Sequence, residues 1–205
     1  MKPYGNNPHH SVITLISHII TLAILMIISG CSTDINAKID DKGNTKLHEM
    51  VHKCKLEEVN KLIAAGANVN AKNNDGETPL FEAVRCFSTD ITKKLIDSGA
   101  DVNAKNNKGI TVLMRAIMHV ELSELSPDNI KLILEAGADV NVRLGKGNYT
   151  ALAMSMDCIS KDYYNDKIKN NCLEIAKLLV ASGATGSTED FDKLKQLEEE
   201  ATKKH

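Results

Sequence analysis

The sequence predicts an all-α solenoid, in which about four helix–turn–helix repeats are joined by β-hairpin-like fingers. Two recurrences and one compositional fact predict it. Thr45, Thr78 and Thr111 stand 33 residues apart, and each is followed two positions later by a leucine, Leu47, Leu80 and Leu113. The pairs Gly66-Ala67 and Gly99-Ala100 keep the same 33-residue interval, and Gly137-Ala138 follows 38 later, each with Val-Asn shortly behind it (Val69-Asn70, Val102-Asn103, Val140-Asn141). A fixed period of this size marks supersecondary units that cannot bury their apolar faces alone and do so by stacking. With three Phe, four Tyr and no Trp, the core is left to Leu, Ile, Val and Ala, which suits small repeated helices better than a large enzyme core.

The elements follow in chain order. Val12 to Ile28 is a nearly unbroken apolar stretch, unlike the rest of the chain, and Lys2 is the one charged residue before it. Ile28-Ser29-Gly30-Cys31 resembles a lipobox, where small residues let a signal peptidase cut ahead of a cysteine that then carries lipid. Residues 1–30 are therefore expected to be a lipoprotein signal peptide, to be kept out of fold reasoning, with Cys31 lipidated and residues 31–33 a short tether. An uncleaved single transmembrane anchor is the alternative, because the apolar run approaches the ~20 residues that span a bilayer; a plain secretory signal is a third. The first two put the folded part in a bacterial cell envelope, attached to a membrane on its periplasmic side or outer surface.

Residues 34–186 form the repeat domain, with repeats at about 40–72, 73–105, 106–142 and 143–186. Asp34-Ile35-Asn36-Ala37-Lys38 reads as the end of a missing preceding unit. In each unit the threonine starts helix one and can cap its free N–H groups. Leu47, Leu80, Leu113 and Leu152 should face inward from helix one. Leu62-Ile63, Leu95-Ile96, Ile133-Leu134 and Leu179-Val180 should do so from helix two. The glycine of Gly-Ala ends helix two in the left-handed conformation, and Val-Asn begins an extended finger. Unit four keeps Thr150, Leu152 and Gly183-Ala184 but has 33 residues from Thr to Gly, and unit three has 26, against 21 in the first two. The extra residues read as longer loops at 121–127 and 159–170. Residues 187–205 are a C-terminal capping helix and tail, with Phe191, Leu194 and Leu197 along one face.

Unit two, NNDGETPLFEAV then KLIDSGADVNAK, resembles the ankyrin-repeat family, whose pattern is D-x-x-G-x-T-P-L-H followed by L-L-x-x-G-A-D-V-N-A. DDKGNTKLHEMV and KLIAAGANVNAK in unit one, and LILEAGADVNVR in unit three, repeat it in phase, and the resemblance covers about residues 34 to 186. It implies a protein-binding surface on the finger tips and the exposed face of helix one. By phase the finger positions are Asp41, Lys42 and Asn44; Asn74, Asp75 and Glu77; Asn107, Lys108 and Ile110; and Lys146, Asn148 and Tyr149. Four residues after each threonine stand Glu49, Glu82, Arg115 and Met154; seven after stand His52, Arg85, Met118 and Asp157. Partner contacts are expected from Asn44, Glu49, Glu77, Glu82, Arg85, Ile110, Arg115, Met118, Tyr149 and Met154. That surface is polar and acidic at its N-terminal end and apolar around Ile110, Met118, Tyr149 and Met154, where an interface core is expected; scattered surface apolars are the alternative. The inserted segments offer a second contact region.

Catalytic chemistry finds little support. His48-Glu49-Met50-Val51-His52 matches HExxH, in which two histidines on one helix face bind zinc beside a glutamate base. Phase argues for coincidence: His48 fills the histidine slot of T-P-L-H, helix one is short, and no third ligand stands out. Gly145-Lys146-Gly147 lacks the strand–loop–helix context of a phosphate-binding loop. Of the five cysteines, Cys31 is committed to lipid. Cys86 and Cys158 lie two units apart, too far to bond at ~10 Å per unit. Cys158 and Cys172 bracket the insertion of unit four and are the candidate disulfide, with two separate thiols as the alternative. Net charge is −2 with no long Lys/Arg run, which argues against nucleic acid.

The expected function is a membrane-tethered protein–protein interaction module, a scaffold or recruiter. It is a monomer and no enzyme, with no cofactor, no metal and no small-molecule substrate. The alternatives are an inhibitor or chaperone-like partner of a periplasmic enzyme, and a zinc metallopeptidase using His48, Glu49 and His52.

Overall fold

The computed structural model describes residues 34–86, 89–123, 127–145, 149–161 and 164–203. The leader, Cys31, Lys146, Asn148 and Tyr163 lie outside the described residues. The chain divides into Met1–Asp34 and Ile35–His205, and the repeats all belong to the second part. The described helices are α1 (Lys46–His52), α2 (Leu56–Ala64), α3 (Pro79–Ala83), α4 (Asp90–Asp97), α5 (Val112–Ser123), α6 (Asp128–Glu135), α7 (Ala151–Ser160), α8 (Asp166–Ala181) and α9 (Thr188–Lys203).

They stack in two rows. The first helices of the units, α1, α3, α5 and α7, pack in sequence, and the second helices, α2, α4, α6 and α8, form a parallel row behind them. α9 closes the far end against α7. Leu47 and Leu80 are fully buried, Leu113 and Leu152 almost so. In the outer row Leu95, Ile133 and Leu179 are buried with Ile96, Leu134 and Val180 half-buried beside them, whereas in α2 both Leu62 and Ile63 are half-buried. α2 touches α1 and α4, so it has an outer-row neighbour on one side only. Apolar burial, the main favourable contribution to such a stack, is thus weakest in unit one.

The glycine rule holds in all four units. Gly66, Gly99, Gly137 and Gly183 sit at φ 86–89°. At Gly99, for example, the glycine N–H donates to Ile96 O (2.9 Å) and the following Ala100 N–H donates to Leu95 O (3.0 Å), which satisfies two carbonyls left over at the helix end. The asparagine of Val-Asn then ties one unit to the next. Asn70 Nδ2 donates to Gly99 O (2.9 Å) while its Oδ1 accepts from Asp101 N–H (2.8 Å). Asn103 repeats this with Gly137 and Asp139, and Asn141 with Gly183 and Thr185. Asn36, in the half-unit before unit one, accepts from Asn68 N–H at 2.7 Å.

The fingers are short antiparallel turns, bridged at Lys38–Thr45, Lys105–Thr111 and Leu144–Tyr149. Their tips are stitched together as well. Asn74 Nδ2 donates to Asp41 O and Asn107 Nδ2 to Asn74 O, both at 2.8 Å. The fit is close: a Cβ added at Gly76 would collide with the Asn107 side chain.

Two expectations need correction. The insertions of units three and four mostly lengthen helices instead of making loops: α5 runs 12 residues, α7 10 and α8 16, against 7 for α1 and 5 for α3. Among the described residues of the expected loops, 121–123 belong to α5, 159 and 160 to α7 and 166–170 to α8, because a longer helix satisfies its own backbone groups where a long loop would leave them to solvent. The threonines also differ in what they do. Thr111 and Thr150 accept from the N–H groups of Met114 and Ala153, both at 3.2 Å. The Thr78 hydroxyl is buried and has no hydrogen-bond partner among the described residues. Thr78→Val is therefore expected to raise stability by about 1 kcal/mol, while Thr111→Val loses about 1 kcal/mol with its cap. Urea midpoints of the two variants should move in opposite directions.

Two disulfides are present among the described residues. Cys158–Cys172 joins α7 to α8 with Cα atoms 6.2 Å apart, and both cysteines are fully buried. Cys54–Cys86 joins unit one to unit two with Cα atoms 5.9 Å apart. The sequence reading assigned no partner to Cys54.

Candidate functional site

A concavity lies between the fingers and the inner helices of units one and two, with a volume of about 580 Å³. Asp40, Asp41, Lys42 and Asn44 line it from the first finger, Asn73, Asp75 and Glu77 from the second. His48, Glu49 and His52 come from α1, Glu82 from α3, and Arg85 from just beyond α3. Six of the lining residues are carboxylates and two, Lys42 and Arg85, are cations, so the lining is negative, a charge partly offset by Lys46 and Lys53 at Glu49 and by Arg115 at Glu77.

Local chemistry holds each wall. Asp40 accepts from Asn44 N–H (2.8 Å) and Asn44 Nδ2 (2.9 Å), which closes the finger turn. The bond from the Asn44 backbone, then that from its side chain, holds the Asp40 carboxyl below the usual carboxylate range. Asn73 fills the same slot in the next finger and accepts from the N–H groups of Asp75 and Glu77, both at 3.0 Å. Glu49 lies between Lys46 and Lys53, each 2.6 Å away, and the bond from Lys46, followed by that from Lys53, lowers its pKa. Glu77 accepts from Asn106 Nδ2 at 3.0 Å and pairs with Arg115, both of unit three. Glu82 meets His52 Nδ1 at 2.9 Å and Arg85 at 3.2 Å. These carboxylates tie adjacent units together as well as charging the groove.

His48 is buried at its floor. Its Nδ1 accepts from Thr45 N–H (3.1 Å), so Nε2 carries the proton and donates to Glu77 O (3.1 Å) in the next unit. Burial pushes its pKa below the ordinary 6.5. Both ring nitrogens are committed, so the ring can neither ligate zinc nor take a proton without breaking one of these two bonds. The opposite ring face of the HEMVH segment is no better placed, since His52 is drawn to Glu82. Among the described residues no three His, Cys, Asp or Glu side chains converge as a metal site. The zinc-peptidase alternative is therefore set aside on the geometry of His48.

A pH dependence follows. Below pH 6.5 the unfolded chain binds a proton at His48 that the folded chain resists, so unfolding gains protons and stability falls as pH drops through that value. Above it this group contributes no slope. The carboxylates of Asp40 and Glu49, whose pKa values are lowered from 3.8 and 4.5, act in a separate, more acidic window. His48→Gln keeps an acceptor for Thr45 N–H and should flatten the stability profile below about pH 6.5; urea titrations on both sides of that pH check it.

The predicted contact residues divide. Asn44, Glu49, Glu77, Glu82 and Arg85 converge on the groove. Arg115 reaches its edge through Glu77. Ile110 and Met118 are half-buried against the core. Tyr149 is exposed, its hydroxyl donating to Asp157 at 3.2 Å. Met154 is buried, which corrects its assignment as a contact: α7 is covered by α5, α8 and α9, and Met154 is absorbed into the core with its neighbours. Of the four apolar residues expected as an interface core, Met154 alone is buried. Asp40 and Asn73 were missed as lining residues. Their 33-residue spacing, in phase with Asn106, was the available signal.

A family model of ankyrin repeats (three copies) matches residues 17–106 and 47–144. The chain belongs to the ankyrin-repeat family. No curated protein matches it. The ankyrin fold makes it a protein–protein interaction module of a family that is typically non-enzymatic. Unit four extends past the matched residues, yet it continues the same ankyrin ladder through Asn141, Gly183 and Thr185.

Proposed function

We propose that this ankyrin-repeat protein is a membrane-tethered recruiter or scaffold that holds a protein partner by a basic segment laid in the groove of units one and two. The acidic, rigidly stitched concavity carries the reading, because charge complementarity sets partner choice and speeds encounter. The tether is the lipid on Cys31. Its support is the lipobox-like Ile28-Ser29-Gly30-Cys31 together with cysteine use: four of the five cysteines are consumed in two disulfides, which suits an oxidising compartment outside the cytoplasm, and Cys31 is the one left over.

The test uses the full chain, expressed in its own cell type and extracted from membranes. Asp41 and Asp75 are exposed on the finger tips, so reversing them spares the Glu77 and Glu82 networks. Asp41→Lys/Asp75→Lys should lose at least about tenfold in partner affinity, or ~1.4 kcal/mol, while Lys93→Glu on α4 should bind as the wild type does. Equal binding by all three proteins would refute the groove. Incorporation of labelled palmitate that persists in Cys31→Ser would refute the lipid anchor.

A further inference from the structure

We propose that the Cys54–Cys86 disulfide is a redox latch on the groove: a dithiol opens it while Cys158–Cys172 stays closed, and unit one then loosens from unit two. The argument begins with access. Cys54 is exposed, whereas its partner Cys86 and both members of the other pair are buried. Cys54 is thus the cysteine of the two pairs that an external thiolate meets first.

The position of Cys54 adds to this. It follows α1 in the left-handed slot that ends a helix, with φ 51°, its N–H donating to Val51 O (2.8 Å) and the next N–H, of Lys55, to Met50 O (3.0 Å). Glycine fills that slot after α2, α4, α6 and α8. A side chain there is disfavoured, so cysteine brings a cost that its bond to Cys86 offsets.

The bond also holds an end unit of the described stack. Unit one ends the stack within Ile35–His205, and its outer helix is half-buried on the face where α4 and α6 are covered. End units of a solenoid open first. The disulfide borders a small pocket with His52, Glu82 and Arg85, three residues that also line the groove. Since unit one supplies half of the groove walls, its loosening removes the groove.

The chemistry balances with a dithiol as reductant. One of its thiolates attacks Cys54 Sγ, forms a mixed disulfide and releases the Cys86 thiolate, which takes up a proton. The second thiol of the reductant then attacks its own sulfur in the mixed disulfide and releases Cys54. Two electrons and two protons pass to the cysteine pair, and the dithiol leaves as a cyclic or intramolecular disulfide.

The test is native-state treatment of the full chain with dithiothreitol. Alkylation with peptide mass analysis identifies which cysteines open, and hydrogen exchange reads α1 and α2 against α7 and α8. Cys54 and Cys86 should be labelled first, with exchange in α1 and α2 rising at least tenfold and α7 and α8 unchanged. Cys54→Ser should show the fast exchange without reductant and no further response to it. Labelling of Cys158 and Cys172 first or together with the other pair, or unchanged exchange in α1 and α2 once Cys54–Cys86 is open, would overturn the proposal. These readouts need no partner, so they stand or fall separately from the groove's ligand.

Discussion

Leu80→Ala is expected to cost about 2–5 kcal/mol and to lower the melting temperature by roughly 4–20 °C for a chain of this size. Leu80 is fully buried on α3, a helix in contact with α1, α4 and α5. Removing its side chain opens a void that none of three neighbours can close without leaving its own seat. That loss is a large part of the 5–15 kcal/mol that holds a typical domain together. The same truncation at Ile63, half-buried on α2 at the end of the stack, should cost much less, about 1 kcal/mol. Urea unfolding of both variants checks the contrast. Equal losses would mean that stability is not distributed by position in the stack.

Removing the buried disulfide of unit four should have an effect of similar size. Cys158 and Cys172 are 14 residues apart in sequence, and closing a loop of about 15 residues limits the unfolded chain by roughly 3 kcal/mol in the chain-entropy model. The bond joins the two long helices α7 and α8, whose lengthening by the insertion would otherwise leave the hairpin free to open at its far end. Cys158→Ala/Cys172→Ala should therefore unfold at a lower urea midpoint than the oxidised wild type. Its denaturant slope should also rise, because the freed unfolded chain exposes more surface. A midpoint equal to that of the wild type would show that α7–α8 contact alone holds the unit.

The sequence disclosed the repeat because backbone geometry forces it. A glycine is needed wherever helix two ends at positive φ, as at Gly99, and a leucine wherever helix one meets both neighbours, as at Leu80. Phase alone could not assign the side-chain roles. Asn70, Asn103 and Asn141 were visible as a recurrence, but their use of one side chain to bond two groups of the following unit depends on how the units are stacked. Met154 was placed on the surface by counting four from Thr150, but it is buried with its neighbours in the core of α7. Cys54 was missed for a related reason. It lies past the end of α1, in a turn where the family pattern offers no cysteine, and only the fold brings it to Cys86 across the unit boundary. The groove was half legible: the acidic finger residues were in phase, whereas of the apolar residues expected on the same surface Met154 is taken up by the core.

The central claim is that the concave edge of the stack is the surface that grips a partner. A photocrosslinking residue placed at Asp75, on the second finger, and another at Lys93, on the outer helix α4, test it directly in intact cells. Adducts of one defined mass from position 75 and none from position 93 are the predicted result. Adducts from position 93 with none from position 75 would contradict it.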